Sequence, residues 1–147
     1  MLDSSLFPQS CLLCSARNGA DFGICTNCLN DLPHHSPSHT ASCPQCGLLS
    51  SEGQLCGACI ASPPDFDATK ALFRYEYPIS QVLQQYKYNQ QLFLAETFAE
   101  LMMQKIQAHN IDLIIPMPLH PSRLQERGFN QSLEIARIIS KRLKIKV

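Results

Sequence analysis

Four Cys-x-x-Cys pairs occupy the first 60 residues: CLLC at 11–14, CTNC at 25–28, CPQC at 43–46 and CGAC at 56–59. They contain all eight cysteines of the 147-residue chain. Two cysteines three positions apart can turn both sulfur atoms toward one metal ion, and two such pairs complete a tetrahedral shell of four thiolates. The spacing therefore predicts two metal sites with the ligands Cys11, Cys14, Cys25, Cys28, Cys43, Cys46, Cys56 and Cys59.

The metal that suits such shells best is Zn²⁺, and we expect it in both sites. A four-cysteine shell is closed and leaves no open position for catalysis, so both ions should be structural. Iron in one site would satisfy the same spacing. Sequential pairing of the Cys-x-x-Cys units closes the shorter loops and costs the least chain entropy. A crossed arrangement, first pair with third and second with fourth, fits the same sequence.

The cysteine-rich segment has too few apolar residues to fold unaided. Metal coordination would supply the missing stability, on the order of 10 kcal/mol for a structural site. Between the two modules lies a histidine-rich tract, HHSPSH at 34–39. A histidine in place of a cysteine ligand is one interpretation of that tract. A solvated linker is the better one, because eight thiolates already fill two sites.

Composition and charge describe a folded chain with an uneven charge distribution. Hydrophobic residues make up 45% and charged residues 16%, and the formal net charge is zero. Residues 1–60 carry one basic and four acidic residues, whereas residues 120–147 carry seven basic and two acidic ones. A basic C-terminal part can attract phosphate or nucleic acid. The alternative is a solvated helix surface with Lys and Arg near its C-terminal end.

The sequence also indicates a compartment. No apolar run approaches the ~20 residues of a membrane-spanning helix. The N-terminus, MLDSSLFPQS, has neither the basic nor the apolar region of a secretory signal. We therefore expect a cytoplasmic protein without a membrane span. In a reducing compartment, regularly spaced thiols are metal ligands far more often than disulfides.

After the proline pair at 63–64 the pattern changes to that of an α/β domain. We predict a strand at 69–77, helices at 79–88 and 92–108, a buried parallel strand at 111–115 and a helix at 131–143. Helices alternating with strands favour a mostly parallel sheet. The predicted fold is thus a pair of metal-stabilised modules, residues 1–64, followed by the opening of an α/β domain, residues 65–147.

The stretch PMPLHPSRLQERGFNQ at 116–131 joins the second predicted strand to the last helix. Ligands of open α/β sheets bind beyond the C-terminal ends of the strands, where this stretch would lie. Arg123 and Arg127 suit bidentate contacts to phosphate, and Gly128 permits close backbone approach. These features favour a phosphate-binding loop. The alternative is a proline-stiffened connection whose arginines face water.

Several of these stretches together resemble the ComF/GntX family. They are the four Cys-x-x-Cys pairs, PPDFD at 63–67, YKY at 86–88 and the 116–131 stretch, in this order along the whole chain. The resemblance implies a double zinc ribbon joined to a type I phosphoribosyltransferase-like domain. It places the 116–127 region at the pyrophosphate of phosphoribosyl pyrophosphate (PRPP), with Lys87 near the same cleft. The candidate phosphate-binding residues are Lys87, Pro116, Pro118, His120, Arg123, Arg127, Gly128 and Asn130.

One feature of that family does not occur in this sequence. Phosphoribosyltransferase-like domains carry a strand ending in two acidic residues, followed by a Thr/Gly-rich turn that holds the ribose phosphate. The sequence has no such stretch and stops at KIKV, 144–147, so we expect a truncated product or a fragment. Mg²⁺ with PRPP is expected only in a full-length homologue. No catalytic residue is assigned, and enzymatic activity stays undecided.

The resemblance also implies a link to DNA uptake in bacterial competence. The leading hypothesis is a ComF-like, zinc-binding protein whose partners are single-stranded DNA or other competence proteins. One alternative is a phosphoribosyltransferase that uses PRPP. Another is a zinc-stabilised adaptor that binds other proteins and has no chemistry of its own.

Overall fold

The computed structural model describes residues 10–17, 23–32, 42–88, 91–105 and 111–147. Contacts within the chain define two compact units, one formed by Met1–Leu32 with Tyr75–Val147 and the other by Pro33–Arg74. The first pair of Cys-x-x-Cys motifs thus belongs to the larger, helical unit, and the second pair belongs to the smaller one. The domain boundary at residue 64, drawn from composition, stays a prediction.

Among the described residues, the helical unit contains four helices that follow residue 78 and a short helix that precedes them. Helix α1 spans Thr26–Asn30, and in the smaller unit helix α2 spans Gly57–Ala61 after a single 3-10 turn at Ser51–Gly53. The remaining helices of the larger unit are α3 (Ile79–Tyr88), α4 (Phe93–Lys105), α5 (Pro121–Arg127) and α6 (Gln131–Leu143).

Apolar residues at helical spacing explain why α3, α4 and α6 form and pack together. Each presents a buried stripe: Ile79, Val82 and Tyr86 on α3; Leu94, Ala95, Phe98 and Ala99 on α4; Ala136 and Ile139 on α6. The predicted helices at 79–88 and 131–143 are confirmed at both ends. The predicted helix at 92–108 is confirmed over Phe93–Lys105, while residues 106–110 lie outside the described residues.

Tyr86 lies at the centre of this core. Its ring centroid is 5.8 Å from that of Phe98 and 5.7 Å from that of Phe129. Its hydroxyl donates a hydrogen bond to the backbone carbonyl of Gln131 at 3.0 Å, so the buried polar atom is satisfied. Burial raises the pKa of Tyr86, which keeps the phenol protonated. Tyr86 thereby ties α3 to α4 and to the start of α6.

Helix α6 also packs along α4, and Arg142 bridges the two. Its guanidinium pairs with Glu100 and lies 3.8 Å from a carboxylate oxygen of Glu96. These side chains are partly exposed, so the pairs contribute little stability by themselves. They link the C-terminal part of α6 to α4.

The first metal module contacts the helices within the same unit. Gly23 has φ +69, and a Cβ atom added there would lie 2.1 Å from Cε2 of Phe93, the first residue of α4. Only glycine fits this position, because both the backbone angle and the aromatic ring exclude a larger side chain. Ile24 and Leu32 of the module are buried. The module is therefore part of the helical core.

The strand predictions are not confirmed. No strand is assigned within the described ranges, and residues 69–77 and 111–115 are extended or irregular. Leu113 does form an isolated parallel bridge to Lys146, with the Ile114 amide donating to the Lys146 carbonyl at 2.8 Å. The prediction that 111–115 is buried is wrong, because Leu113 is 53% and Ile115 80% exposed. A strand is stabilised by hydrogen bonds to neighbouring strands and by side chains packed on its faces. Within the described residues, the 111–115 segment makes a single bridge, between Leu113 and Lys146.

The 116–131 stretch is not wholly a loop, because it contains α5. Pro121 stands in the first turn, where the missing N–H is harmless, and His120 caps the helix by accepting from the Ser122 amide. Gly128 ends the helix in the left-handed conformation, with φ 77. These proline and glycine positions are the usual boundary signals of a short helix, and they were present in the sequence.

In the part of the chain that the structure describes, no helix combines the length and the apolar character needed to cross a membrane.

The core can be tested by truncating Leu94, which is 0% exposed, beside Leu92, which is 52% exposed. We expect Leu94→Ala to lower the free energy of unfolding by about 2–5 kcal/mol, because it leaves a cavity among packed helices. Leu92→Ala should change it by less than about 1 kcal/mol. Urea unfolding followed by helical circular dichroism, with zinc present, measures both. Equal losses would contradict the assigned core.

Candidate metal centres and phosphate-binding loop

The eight cysteines form two clusters, in the sequential arrangement. Cys11, Cys14, Cys25 and Cys28 form one, and Cys43, Cys46, Cys56 and Cys59 form the other; within each, all four Sγ atoms lie within 4.8 Å of one another. The crossed pairing left open by the spacing is not adopted. The histidine tract at 34–39 falls outside the described residues.

The distances between sulfur atoms fit a tetrahedral thiolate shell. Sγ of Cys14 lies 3.7 Å from Sγ of Cys25, and Sγ of Cys46 lies 3.6 Å from Sγ of Cys56. Four sulfurs held about 2.3 Å from a central Zn²⁺ would be about 3.8 Å apart. All eight cysteines are free thiols. The donor set, its number and its spacing therefore suit two zinc ions.

Each cluster rests on a tight turn at its first Cys-x-x-Cys pair. The amide of Ser15 donates to the carbonyl of Cys11 at 2.8 Å, and the amide of Gly47 donates to that of Cys43 at 2.9 Å. Ser15 and Gly47 both have positive φ, 58 and 76. The left-handed residue folds the chain back so that both sulfurs of the pair face one point. Gly47 adopts this conformation in the second cluster, and Ser15 adopts it in the first although it is not glycine.

Backbone amides prepare one sulfur in each cluster to bind as a thiolate. The Cys25 amide donates to Sγ of Cys11 at 3.3 Å, and the Cys56 amide donates to Sγ of Cys43 at 3.4 Å. Burial raises the pKa of the Cys11 thiol, but its hydrogen bonds with backbone amides outweigh burial and bring the pKa to about 6. Hydrogen bonds from the backbone of Cys46 and Cys56 bring the pKa of Cys43 to about 6 as well.

One further thiol in each cluster, Cys28 or Cys59, ionises less readily than a free cysteine. A hydrogen bond with Cys25 raises the pKa of Cys28, and burial raises that of Cys59 to about 12. In both cases the neighbouring thiolate adds repulsion. A divalent ion would reverse this balance, because it neutralises the accumulated negative charge. The chemistry of the ligands thus agrees with their geometry.

The two modules are structural repeats. In each, the third cysteine precedes a five-residue helix and has extended angles, φ −69 and ψ 156 for Cys25, φ −73 and ψ 157 for Cys56. Both helices end on an equivalent backbone bond, from Asp31 to Asn27 and from Ser62 to Ala58. The chain thus builds the same local structure twice around the same ligand spacing.

Burial distinguishes the repeats. The first contributes Ile24 and Leu32 to the helical core, in addition to its buried cysteines. Among residues 42–74 of the second unit, Cys43 and Cys59 are the only buried side chains. Gln45 adds two hydrogen bonds, from Nε2 to the carbonyls of Pro64 and Phe66 at 3.3 and 3.1 Å. The second cluster is therefore the main organiser of its unit.

The 116–131 stretch is fixed to the start of α6. Oδ1 of Asn130 caps the helix by accepting from the amides of Ser132 and Leu133 at 3.0 and 3.3 Å. Nδ2 of Asn130 and Oγ of Ser132 both donate to the carbonyl of Met117, at 3.1 and 2.7 Å. Sequence reasoning missed Ser132, although its position two residues after an N-cap asparagine was a usable signal.

The two arginines of this stretch have different surroundings. Arg123 is 57% exposed and pairs with Glu126 at 2.7 Å, and this pair raises the pKa of Arg123. Arg127 is half-buried, and its guanidinium carbon lies 5.1 Å from the centre of the Tyr88 ring. It donates to the Tyr88 hydroxyl at 3.3 Å and to Oε1 of Gln131 at 3.1 Å. Tyr88 and Gln131 lie in stretches that carried the family resemblance, but they were not among the candidate phosphate-binding residues.

The other predicted phosphate-loop residues lie around this stretch. Pro116 is half-buried, whereas Pro118 and His120 are exposed. His120 points Nδ1 at the Ser122 hydroxyl, 2.7 Å away. Lys87 lies near the end of α3 and is half-buried. Its neighbours on α3 contact the 116–131 stretch: Tyr86 contacts Phe129 and Gln131, and Tyr88 contacts Arg127. A phosphate site made of all these residues stays a prediction.

The unequal burial of the two clusters predicts unequal effects of losing a ligand. We expect Cys43→Ser and Cys11→Ser each to lower zinc content by one of two equivalents. Hydrogen exchange in Cys43→Ser should speed up across residues 42–74 and leave α3, α4 and α6 protected, because that unit has little apolar core of its own. In Cys11→Ser faster exchange should extend into α4, which the first module contacts.

Metal analysis and hydrogen exchange by mass spectrometry provide the two readouts, and each variant is the matched control of the other. Continued protection of residues 42–62 in metal-depleted Cys43→Ser would contradict the role assigned to the second cluster.

Comparison with known proteins agrees with the two clusters. Residues 2–60 match the family model described as "Double zinc ribbon domain". The chain is 30% identical to the "DNA utilization protein YhgH" of Salmonella typhimurium over 134 residues, which cover 85% of this chain and 57% of that protein. It is 28% identical to "Competence protein F" of Haemophilus influenzae over 153 residues, 96% of this chain and 63% of that protein.

The similarity to the protein YhgH of Escherichia coli K12 is of the same order, 29% over 134 residues. No solved structure matches at a significant level. The chain spans 57–63% of the length of these relatives. The two four-cysteine clusters and the ribbon match identify a zinc-binding double ribbon, and the chain is similar to competence protein F and to the DNA utilization protein YhgH.

Proposed function

We propose that this protein acts in the uptake or use of DNA, and that it contacts the phosphate groups of single-stranded DNA through its C-terminal part. The relatives carry the names competence protein F and DNA utilization protein, which motivates the DNA assignment. The two zinc ions act as structural ions in this proposal. Other competence proteins are the second class of partner that it includes.

The charge distribution is the observation that carries the proposal. Lys141, Lys144 and Lys146 are all exposed at the end of α6 and just beyond it. None of them takes part in the α4–α6 ion pairs, which Arg142 makes. In contrast, residues 42–69 contain three acidic residues and no lysine or arginine. A polyanion would be attracted to the C-terminal lysines, whereas residues 42–69 have no positively charged lysine or arginine to bind it.

The segment from 111 to 147 supports a relation to phosphoribosyltransferase-like α/β domains. A parallel bridge between Leu113 and Lys146, with α6 between them, is the minimal element of a strand–helix–strand unit. The Pro116–Gln131 motif follows the first of these extended segments, where α/β proteins bind phosphate. PRPP with Mg²⁺ would be a ligand of longer relatives, and no catalytic step is assigned to this chain.

The second candidate, a protein-interaction adaptor, is favoured by apolar exposure on the smaller unit. Leu48, Leu49 and Ile60 are 66%, 69% and 67% exposed. Exposed apolar residues beside acidic ones suit a protein surface better than a nucleic acid. A DNA-binding role and an adaptor role predict different salt dependence.

The test measures the affinity for a fluorescent oligothymidylate as salt increases from about 50 to 200 mM, because contacts to phosphate release counterions. The triple variant Lys141→Ala/Lys144→Ala/Lys146→Ala should weaken binding. It should also lower the slope of log affinity against log salt by about 2, since each contact to a single strand contributes about 0.7.

The control variant Lys70→Ala/Lys105→Ala removes exposed lysines elsewhere and should leave the slope within error. A flat salt dependence for the unaltered chain would refute the DNA proposal and favour the adaptor.

A further inference from the structure

The two arginines of α5 lie one helical turn apart, yet their side chains have opposite environments. Arg123 is mostly exposed and pairs with Glu126, a partner that is itself 48% exposed. Such exposed pairs are weak and exchange readily with other anions. Arg127 instead turns toward the helical body, where it meets an aromatic face and two polar partners.

The contacts of Arg127 connect three helices of the larger unit. It belongs to α5, Tyr88 is the last residue of α3, and Gln131 is the first residue of α6. The guanidinium stacks over the Tyr88 ring and also donates to its hydroxyl, a combination that lysine could not make. Gln131 is fixed in turn, because its carbonyl accepts from Tyr86 in the core.

Burial reinforces this assignment. Nε of Arg127 and Nε2 of Gln131 are shielded from solvent and have no hydrogen-bond partner among the described residues. An arginine that meets an anion from solvent would expose its Nε edge, which is one of the two edges used in bidentate contacts. In Arg127 the Nε edge is shielded from solvent. The guanidinium of Arg123 can bind an anion once its exposed ion pair with Glu126 breaks.

We infer that Arg127 is a positioning residue that fastens α5 to α3 and α6, and that Arg123 is the arginine of this motif that meets phosphate. The Arg123 half rests on the proposed phosphate-binding role of the loop, and the Arg127 half does not. The motif therefore divides two tasks between two similar side chains. One arginine holds the loop and the other contacts the ligand.

Modification with phenylglyoxal, followed by peptide mapping, tests both halves on the full zinc-loaded chain. Arg137 is the matched control, since it is 62% exposed and pairs with Glu134 at 2.8 Å in the same i,i+3 geometry as Arg123. We expect Arg123 and Arg137 to react at similar rates and Arg127 to react roughly tenfold more slowly, because it is protected by local structure. Inorganic pyrophosphate should protect Arg123 and leave Arg137 unchanged.

Two variants separate the halves. Tyr88→Ala should speed up modification of Arg127 severalfold without changing Arg123, whereas Tyr77→Ala, at an exposed tyrosine before α3, should change neither. Rapid modification of Arg127, with protection by pyrophosphate, would overturn the inference. A third result would separate the two roles: Arg127 is modified slowly, Tyr88→Ala speeds up its modification, and pyrophosphate does not slow modification of Arg123. In that case the positioning role of Arg127 stands and the phosphate contact of Arg123 is refuted.

Discussion

The structure depends on eight thiols gathered into two groups of four. Sulfur atoms less than 5 Å apart accumulate negative charge as they ionise, and hydrogen bonds from backbone amides offset part of it. Those bonds lower the pKa of Cys11 and Cys43, whereas the pKa values of Cys28 and Cys59 are raised. The clusters are therefore arranged for a divalent ion, whose binding free energy becomes folding free energy.

The same local structure serves two different purposes in this chain. In the first repeat, Gly23 and Ile24 place the module against helices that have their own apolar core, so the metal adds to a structure that already has other support. In the second repeat the buried side chains within residues 42–74 are two of the ligands themselves. One of the two similar modules thus completes a core, and the other depends on its ion.

Much of this could be predicted from the sequence, because the signals were local. Ligand spacing identified the clusters, and helical periodicity located α3 and α6. The short helix α5 was missed although Pro121 and Gly128 mark its ends. The strands were predicted from apolar runs, but a strand depends on its neighbours, and Leu113 has a single bridge to Lys146. The pairing of Arg127 with Tyr88 joins residues 39 positions apart, which no local pattern reveals.

The most direct test of this account is X-ray absorption at the zinc edge on freshly purified protein, together with the metal content. We predict two zinc ions per chain, each with four sulfur neighbours at about 2.3 Å and no nitrogen or oxygen ligand. A shell containing nitrogen, or fewer than two ions while residues 42–62 remain protected from hydrogen exchange, would contradict the claim that closed thiolate shells organise both ribbons.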